Sequence, residues 1–227
     1  MCLNEQIRSK IQIFHMNNHI EYPTENTYYI MQTQGRFIVI EGLDGIGKST
    51  TIGRLCEQLN AQTASSPTPF MGQIRERFHD AEPNLRNQYY ELCNAEFSGT
   101  VESMLQQGDV VCDRFVASTA SFKLANQECD WQEFQENLNN WCWPSTCRQP
   151  DIIIHLMLQE DHRTHRILSR GEPLDQQEAR LLEDPSFRIR TLAVFNELCD
   201  VTIDITGLST DQIVKKILFE IGNDEMV

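Results

Sequence analysis

A glycine-rich loop at residues 42–49 combines residue types that bind phosphate groups. Its sequence, GLDGIGKS, fits the spacing G-x-x-x-x-G-K-[ST] of a phosphate-binding loop, or P-loop. Glycines let backbone N–H groups turn towards a phosphate, Lys48 adds a charge for the β- and γ-phosphates, and the Ser49 hydroxyl suits Mg²⁺. We therefore predict that a nucleoside triphosphate binds at Gly42, Leu43, Asp44, Gly45, Ile46, Gly47, Lys48, Ser49 and Thr50.

The sequence around this loop favours a phosphate site over an ordinary glycine-rich turn. Residues 36–41 form an apolar run that predicts a buried strand, and residues 48–60 carry apolar side chains at helical spacing. A P-loop requires this strand–loop–helix context. The pattern does not separate kinases, ATPases and GTPases, although the sequence contains no N/T-K-x-D motif of the kind that GTPases use to read their base.

A second pair of residues suited to phosphate chemistry follows another apolar run. Asp113 and Arg114 lie at the end of the strand predicted within residues 108–115. Ligands of open α/β sheets bind beyond the carboxyl ends of the strands. Asp113 can hold Mg²⁺ through water, and Arg114 can bind an anionic substrate with two hydrogen bonds. An exposed acid–base pair at a strand end is the alternative interpretation.

Apolar runs that alternate with helical patterns predict a parallel sheet with helices on both faces. The predicted strands lie at residues 36–41, 108–115, 150–158 and 199–207, with a weaker one near 62–66. The predicted helices lie at residues 48–60, 71–80, 85–106, 117–126, 130–141, 160–169, 186–198 and 210–221. We therefore expect an α/β domain at residues 35–227, preceded by a flexible extension at residues 1–34.

The bulk composition argues against nucleic acids and membranes as partners. The chain of 227 residues has a formal net charge of −14, which repels phosphate backbones and anionic lipids. No apolar stretch approaches the ~18 residues of a membrane span. The eight cysteines form no C-x-x-C pair, and residues 1–34 do not resemble an import signal. We expect an intracellular protein with reduced thiols, either mitochondrial or cytoplasmic.

Four stretches of the chain together resemble the thymidylate kinase family. They are EGLDGIGKST, DRFVAST, PDIIIHLML and SRGEPLD, they occur in the family's order, and the resemblance spans roughly residues 36–221. It implies a three-layer α/β P-loop NTPase fold, with a five-stranded parallel sheet flanked by helices and a lid segment. It also implies transfer of the γ-phosphate of ATP to a nucleoside monophosphate, and commonly a homodimer.

The resemblance assigns roles to the acceptor-binding residues. It implies that Asp44 binds the sugar hydroxyl of the acceptor, although local stiffening of the loop is an alternative role. It pairs Tyr90, whose ring would stack on the base, with Asn94 one helical turn later. Asn94 stands where thymidylate kinases carry an arginine. An amide can both donate and accept, which suits cytosine and uracil alike.

Three further stretches favour one branch of this family. Residues 65–83, 85–94 and 142–151 more closely resemble the mitochondrial UMP-CMP kinase branch. The predicted acceptor is therefore a pyrimidine monophosphate, namely CMP, UMP, dCMP, dUMP or dTMP, and a strict dTMP kinase is the alternative. We place its phosphate at Arg75 and Arg114, with Arg86 a weaker candidate. The predicted acceptor site also contains Pro67 and Ser118.

Phosphoryl transfer needs cationic side chains around the transferring group. Some thymidylate kinases carry an arginine in the loop, but Gly45 occupies that position here. The resemblance places a lid at about residues 170–185, and we predict that Arg170 or Arg180 closes over the phosphates. A salt-bridged helical face is the alternative for both, and we prefer that interpretation for Arg163 and Arg166. The predicted catalytic residues are Lys48, Arg114, Arg170 and Arg180, and the predicted metal ligands are Ser49 and Asp113.

Three other functions remain open from the sequence. A deoxynucleoside kinase would need a general base, commonly a carboxylate, after the second strand, and Ser65, Ser66 and Pro67 offer none. A protein that binds or senses ATP without turnover would not need the intact set of Lys48, Ser49, Asp113 and Arg114. A plain ATPase would release ADP without an acceptor.

Overall fold

The computed structural model describes residues 35–79, 81–171 and 173–222. The extension predicted at residues 1–34 lies outside the described residues, as does Glu172 within the predicted lid. None of the described helices is long and apolar enough to cross a membrane.

Five strands form one parallel sheet, as predicted. They are β1 (Phe37–Glu41), β2 (Gln62–Ser65), β3 (Val110–Asp113), β4 (Ile152–Met157) and β5 (Val201–Asp204). Their order across the sheet is β2-β3-β1-β4-β5, and every neighbouring pair is parallel. All five β-strands expected from the apolar runs are therefore confirmed.

The helices cover both faces of this sheet. They are α1 (Lys48–Leu59), α2 (Pro69–Gly72), α3 (Glu76–His79), α4 (Pro83–Leu105), α5 (Val116–Ala125), α6 (Trp131–Asn139), α7 (Glu160–Ser169), α8 (Gln176–Glu183), α9 (Pro185–Leu198) and α10 (Thr210–Glu220). This arrangement confirms the predicted three-layer α/β fold.

Strand β1 lies at the centre of the sheet, and its first four side chains are apolar on both faces, as a doubly covered strand requires. Ile38 packs in a cluster with Ile52 of α1 and Ile217 of α10 on one face. Val39 packs with Phe97 of α4 on the other face. All five residues of the strand are buried, so the loop that follows it starts from a fixed point.

Two segments differ from the helices predicted there. The helix expected at residues 71–80 is instead the two short helices α2 and α3, because the chain between them makes tight i→i+3 bonds, such as Arg75 N–H to the Gly72 carbonyl at 3.1 Å. The predicted lid contains the helix α8, which was not expected. Asp175 caps α8 by accepting a hydrogen bond from the Glu178 N–H at 2.7 Å.

The strand register brings the two predicted phosphate-binding segments together. Ile40 of β1 is paired with Asp113 of β3, and Glu41 is paired with His155 of β4. The Arg114 N–H then donates to the Ile40 carbonyl at 3.1 Å. The P-loop and the Asp113–Arg114 pair therefore leave adjacent strands at the same edge of the sheet.

Candidate active site

The start of α1 presents unpaired backbone N–H groups towards the P-loop. Gly47 precedes the helix in the left-handed region, with φ at 91° and ψ at 25°. Among the described residues, no side chain caps this end and no acidic residue lies in the first turn. The first N–H groups of a helix have no intrahelical partner and carry the positive end of its dipole. This end of α1 is therefore suited to bind an anion.

The remaining loop residues divide between packing and exposure. Leu43 and Ile46 are buried in two core clusters, so these two residues can meet a phosphate only through their backbone. Ser49 and Thr50 are exposed at the start of α1. The structure thus anchors the loop by its apolar residues and leaves its hydroxyls exposed at the surface that a ligand would contact.

Gly45 is required by both backbone and packing. Its φ is +85°, and a Cβ there would lie 2.5 Å from Cγ1 of Ile167 on α7. An arginine at this position, as some thymidylate kinases have, would therefore clash with α7. The close contact also makes α7 a direct support of the P-loop.

Lys48 is held inside the loop. Its Nζ donates to the carbonyls of Gly42 at 3.0 Å and Leu43 at 2.9 Å, and the residue is 7% exposed. Burial, followed by the charge of Arg114, lowers the pKa of Lys48 from its ordinary 10.5 to about 8. Phosphate charges beside Nζ would favour the protonated form and so raise this pKa.

The two predicted metal ligands lie together. The Ser49 hydroxyl donates to Oδ2 of Asp113 at 3.3 Å. Oδ1 of Asp113 is buried and has no hydrogen-bond partner among the described residues. A hydroxyl and a carboxylate are ligands that Mg²⁺ accepts alongside phosphate oxygens and water. The described residues contain no cluster of three His, Cys, Asp or Glu that could hold a metal. Ser49 and Asp113 offer two oxygen ligands, and they fit an ion whose other ligands are phosphate oxygens and water.

Arg114 joins the P-loop to α5. Its guanidinium donates to Oδ1 of Asp44 at 2.6 Å and to the Ser118 hydroxyl at 3.0 Å. The backbone of Arg114 is left-handed, with φ at 66°. Burial acts to raise the pKa of Asp44, but the charges of Arg114 and Lys48 outweigh it and lower the pKa from 3.8 to about 2. Asp44 is therefore a carboxylate at neutral pH.

Glu41 organises this corner and was not predicted from the sequence. It is 0% exposed, and its carboxylate accepts from the backbone N–H groups of Phe115 at 2.8 Å and Ser118 at 3.1 Å, and from the Ser118 hydroxyl. Burial is the main cause of its raised pKa. The sequence did contain a sign of this role, because Glu41 ends an apolar strand and a carboxylate buried there needs hydrogen-bond partners.

A cleft of about 330 Å³ opens beside the P-loop. It brings together every residue predicted to bind the acceptor, and it also contains Arg86 and Asp113. The predicted residues that line it are Asp44, Pro67, Arg75, Tyr90, Asn94, Arg114 and Ser118. Lining residues not predicted from the sequence include Ser66, Asn87, Thr119, Phe122 and, from the lid segment, Asp175 and Gln177.

The two neighbouring tyrosines of α4 have different environments. Tyr89 is 3% exposed, its ring stacks on Phe78 at 4.6 Å between centroids, and its hydroxyl donates to the Met71 carbonyl at 2.9 Å. Tyr90 lines the cleft. The structure thus presents Tyr90, and not Tyr89, to a ligand in the cleft.

Asn94 is buried, and together with the half-buried Ser66 and Thr119 it forms a polar trio in the cleft wall. Its Oδ1 accepts from the Ser66 hydroxyl at 2.7 Å, and its Nδ2 donates to the Thr119 hydroxyl at 2.9 Å. Hydroxyls can donate as well as accept, so the three groups can reverse the direction of their hydrogen bonds together. The sequence suggested that Asn94 faces the cleft alone. In the structure it does so with two hydroxyl partners, Ser66 and Thr119.

The two predicted lid arginines have different surroundings. Arg170 donates to Oε1 of Glu178 at 2.9 Å. Its charge is also one of those that, against the effect of burial and after Arg114, lower the pKa of Asp44. Arg180 instead donates to Oδ1 of Asn126, and its guanidinium lies 4.0 Å from the centroid of the Phe187 ring. Of the two, Arg170 is the one whose charge reaches the P-loop.

Two arginines of α7 contact the P-loop backbone, which their assignment to a salt-bridged face did not anticipate. Arg163 is 1% exposed, pairs with Glu160 at 2.7 Å and donates to the Asp44 carbonyl at 3.3 Å. Arg166 donates to the Ile46 carbonyl at 3.0 Å. The predicted pairing with an acid is thus seen for Arg163, which also contacts the loop, while the contact described for Arg166 is with the loop backbone.

Comparison with known proteins supports the relationship suggested by the motifs. A family model described as thymidylate kinase matches residues 40–217. A thymidylate kinase of Desulfotalea psychrophila is 30% identical, over 72% of this chain and 82% of that protein. Human mitochondrial UMP-CMP kinase 2 is 28% identical, over 68% of this chain and 35% of that protein. The solved thymidylate kinase of Candida albicans has a TM-score of 0.65 and 22% identity, covering 86% of this chain and 95% of that one.

Proposed function

This chain belongs to the thymidylate kinase family and is an ATP-dependent nucleoside monophosphate kinase, and we propose that its acceptor is a pyrimidine monophosphate: CMP, UMP, their deoxy forms or dTMP. The main observation behind the proposal is the cleft beside the P-loop. It is lined by the ring of Tyr90, the polar trio around Asn94 and the guanidinium of Arg114. Its volume of about 330 Å³ lies within the usual range of small-molecule sites.

In the proposed mechanism the acceptor is held at both ends for direct in-line transfer. Arg114 and Arg75 bind its phosphate, Asp44 accepts a hydrogen bond from its sugar, and Tyr90 stacks on its base. Lys48 binds the β- and γ-phosphates of ATP, and the lid keeps water away from them. No covalent enzyme intermediate is needed.

We further propose that Ser49 and Asp113 hold Mg²⁺, with Asp113 acting directly or through water. The ion would supply positive charge to the phosphate oxygens. The unpartnered Oδ1 of Asp113 supports this assignment. Homodimer formation and a mitochondrial or cytoplasmic location, both expected from the sequence, stay predictions.

The trio of Asn94, Ser66 and Thr119 supports an acceptor range that includes cytosine and uracil. These bases differ in that the group at position 4 donates in cytosine and accepts in uracil. Because both hydroxyls can exchange donor and acceptor roles, the trio can match either base. A strict dTMP kinase is the second candidate, favoured by the relatives that are thymidylate kinases.

An acceptor panel tests the proposed function. We expect ADP release from Mg-ATP to depend on an added pyrimidine monophosphate, with CMP, UMP, dCMP or dUMP preferred over dTMP, and to stop when Mg²⁺ is chelated. The measurement is coupled ADP release with the full chain against dTMP, dUMP, UMP, CMP, dCMP, AMP, GMP and no acceptor.

Each other outcome of the panel has a distinct meaning. Turnover of dTMP alone would establish the second candidate, a strict dTMP kinase, and a preference for dTMP within a broader range would contradict the expected order of acceptors. Release that is independent of acceptor would indicate an ATPase. Tight ATP binding with no release under any condition would indicate a protein that binds ATP without turnover.

The lid arginines give a second prediction. Because the charge of Arg170 reaches the P-loop, Arg170→Ala should lower kcat by about 10²-fold, the size expected when one charge-stabilising donor is lost. Arg180→Ala should change kcat by less than about threefold, since Arg180 packs on Phe187, and should instead lower the melting temperature. Steady-state kinetics and thermal unfolding of both variants measure this difference.

Arg170→Ala and Arg180→Ala serve as controls for each other. Both remove an arginine from the same segment, so a general loss of lid structure would affect them alike. A larger loss of kcat in Arg180→Ala would assign the catalytic role to Arg180, and a normal kcat in both and in the double variant would remove the lid arginines from the mechanism.

A further inference from the structure

Asn87 is a buried amide that the predicted acceptor site did not include. It lies on α4 three residues before Tyr90, so the two side chains share one face of the helix. Asn87 is 8% exposed, and it lines the same cleft as Tyr90. The helix thus presents four polar or aromatic side chains to the cleft, at positions 86, 87, 90 and 94.

The amide of Asn87 makes no hydrogen bond to any residue in the described part of the chain, in contrast to Asn94, whose amide is bonded on both sides. The fully enclosed side-chain atoms that lack a partner there are Asp113 Oδ1, His155 Nε2 and Arg190 Nε. Because Asn87 is not one of these, its amide is open to the cleft. Buried amides are normally hydrogen-bonded, so water or a ligand in the cleft supplies the partner of Asn87.

We infer that Asn87 hydrogen-bonds the base of the acceptor nucleotide and helps to select it. This inference rests on the proposed function, because it assumes a pyrimidine monophosphate in the cleft. The phosphate already has guanidinium partners in Arg75 and Arg114, which suit an anion better than an amide does. The base edge needs a donor and an acceptor side by side, and an amide offers both.

The position beside Tyr90 supports contact with the base. A ring stacked on Tyr90 brings its edge towards side chains one helical turn away on the same face, and Asn87 is one of them. Its Nδ2 can donate to the O4 carbonyl of uracil, and its Oδ1 can accept from the N4 amino group of cytosine. Asn87 therefore provides a second amide that can recognise the group at position 4 of the base, independently of the trio around Asn94.

The test uses two substitutions at Asn87 and one acceptor pair, CMP and UMP. Asn87→Ala removes both hydrogen-bonding groups and should raise the KM for the better acceptor about five- to tenfold, while kcat and the KM for ATP stay within about twofold. Asn87→Asp keeps an acceptor and loses the donor. It should raise the ratio of kcat/KM for CMP over UMP by about tenfold.

The ratio is the decisive measurement because a merely structural change would not alter it. Added negative charge in Asn87→Asp repels both acceptors equally, so it cancels in the ratio. Asn84→Ala is the matched control, since Asn84 is exposed on the same helix and does not line the cleft. Thermal unfolding should show no loss of stability in Asn87→Ala, because the amide has no protein partner to lose.

The inference and the proposed function fail in different ways. If the unmodified chain phosphorylates neither CMP nor UMP nor any other pyrimidine monophosphate, both are overturned. If the unmodified chain is active but the acceptor KM in Asn87→Ala and the CMP-to-UMP ratio in Asn87→Asp are unchanged, only the inference is overturned. An equal rise in the KM for ATP and for the acceptor would also overturn it, by showing a general distortion.

Discussion

Replacing Lys48 with methionine should lower kcat by about 10³-fold while the protein stays folded. The Nζ of Lys48 is fixed by the carbonyls of Gly42 and Leu43, so its charge is already aimed into the loop. Charge that is preorganised in a site shielded from water stabilises the transferring phosphoryl group more than a mobile charge would. Steady-state kinetics with Mg-ATP and the preferred acceptor measure the loss.

The same substitution should not destabilise the ligand-free protein. Lys48 is 7% exposed, and burial is the first cause of its lowered pKa, which shows that its charged form is disfavoured in the fold. Methionine has a similar length without the charge, so the desolvation cost that it removes should offset the two hydrogen bonds to the Gly42 and Leu43 carbonyls that it loses, and the free energy of unfolding near pH 7 should stay close to that of the unmodified protein.

The dependence of stability on pH follows from that pKa. Between about 8 and 10.5 the unfolded chain keeps the Lys48 proton while the folded chain loses it. The unfolded state then binds more protons, so the contribution of Lys48 to stability increases as the pH rises through this range. The unfolding free energy of the unmodified protein should therefore rise relative to that of Lys48→Met from pH 8 to pH 10.5.

A matched control separates the loop lysine from lysines in general. Lys123 is half-exposed, with its Nζ 2.6 Å from Oε1 of Glu91, so Lys123→Met should leave both kcat and the pH profile close to normal. Urea unfolding at several pH values and steady-state rates compare the two variants. Retention of full activity in Lys48→Met would contradict the assigned role of the P-loop.

The residues that the sequence could identify are those whose neighbours are set by the strands. Gly47 and Lys48 come after β1, Asp113 ends β3, and Arg114 follows it. In a parallel sheet the carboxyl ends of adjacent strands lie at one edge. The two motifs could therefore be expected to meet there, although Ser49 of the first and Asp113 of the second are 64 residues apart. The pattern of apolar runs was sufficient for this step.

The residues that escaped prediction depend on contacts between distant helices and loops. Glu41 looked like an ordinary strand end, and only the approach of Phe115 and Ser118 shows what its carboxylate holds. Asn87 and Asn94 look alike on a helical pattern, and they differ because Ser66 and Thr119 reach only the second of them. Helical spacing gives the face of a side chain but not its partners.

Removing the side chain of Arg114 should impair use of the acceptor more than use of ATP. Its guanidinium contacts Asp44 and Ser118 in the acceptor cleft, and breaking one partner of such a charged pair costs a few kcal/mol. Arg114→Ala should therefore lower kcat/KM for the acceptor by about 10²-fold or more, while the KM for ATP changes by less than about threefold.

The left-handed backbone at Arg114 calls for a control that isolates the side chain. With φ at 66°, alanine adds strain that glycine does not. Arg114→Gly should lose as much activity as Arg114→Ala but unfold at a higher temperature. Arg77→Ala, at an exposed position outside the cleft, should leave both activity and stability unchanged. Normal acceptor kinetics in Arg114→Gly would remove the guanidinium from the mechanism.

The ion pair between Arg114 and Asp44 can also be measured independently, through the effect of the Asp44 carboxyl on the pH dependence of stability. Burial raises its pKa, but Arg114 and Lys48 bring it down from 3.8 to about 2. Between these values the unfolded chain binds the proton and the folded chain does not, so this contribution is present above about pH 4 and is lost as the pH falls towards 2. Without Arg114 the folded pKa should move back up. The stability difference between Arg114→Gly and the unmodified protein should then shrink as the pH is lowered through this range, whereas a difference that is constant with pH would show that the ion pair contributes nothing to stability.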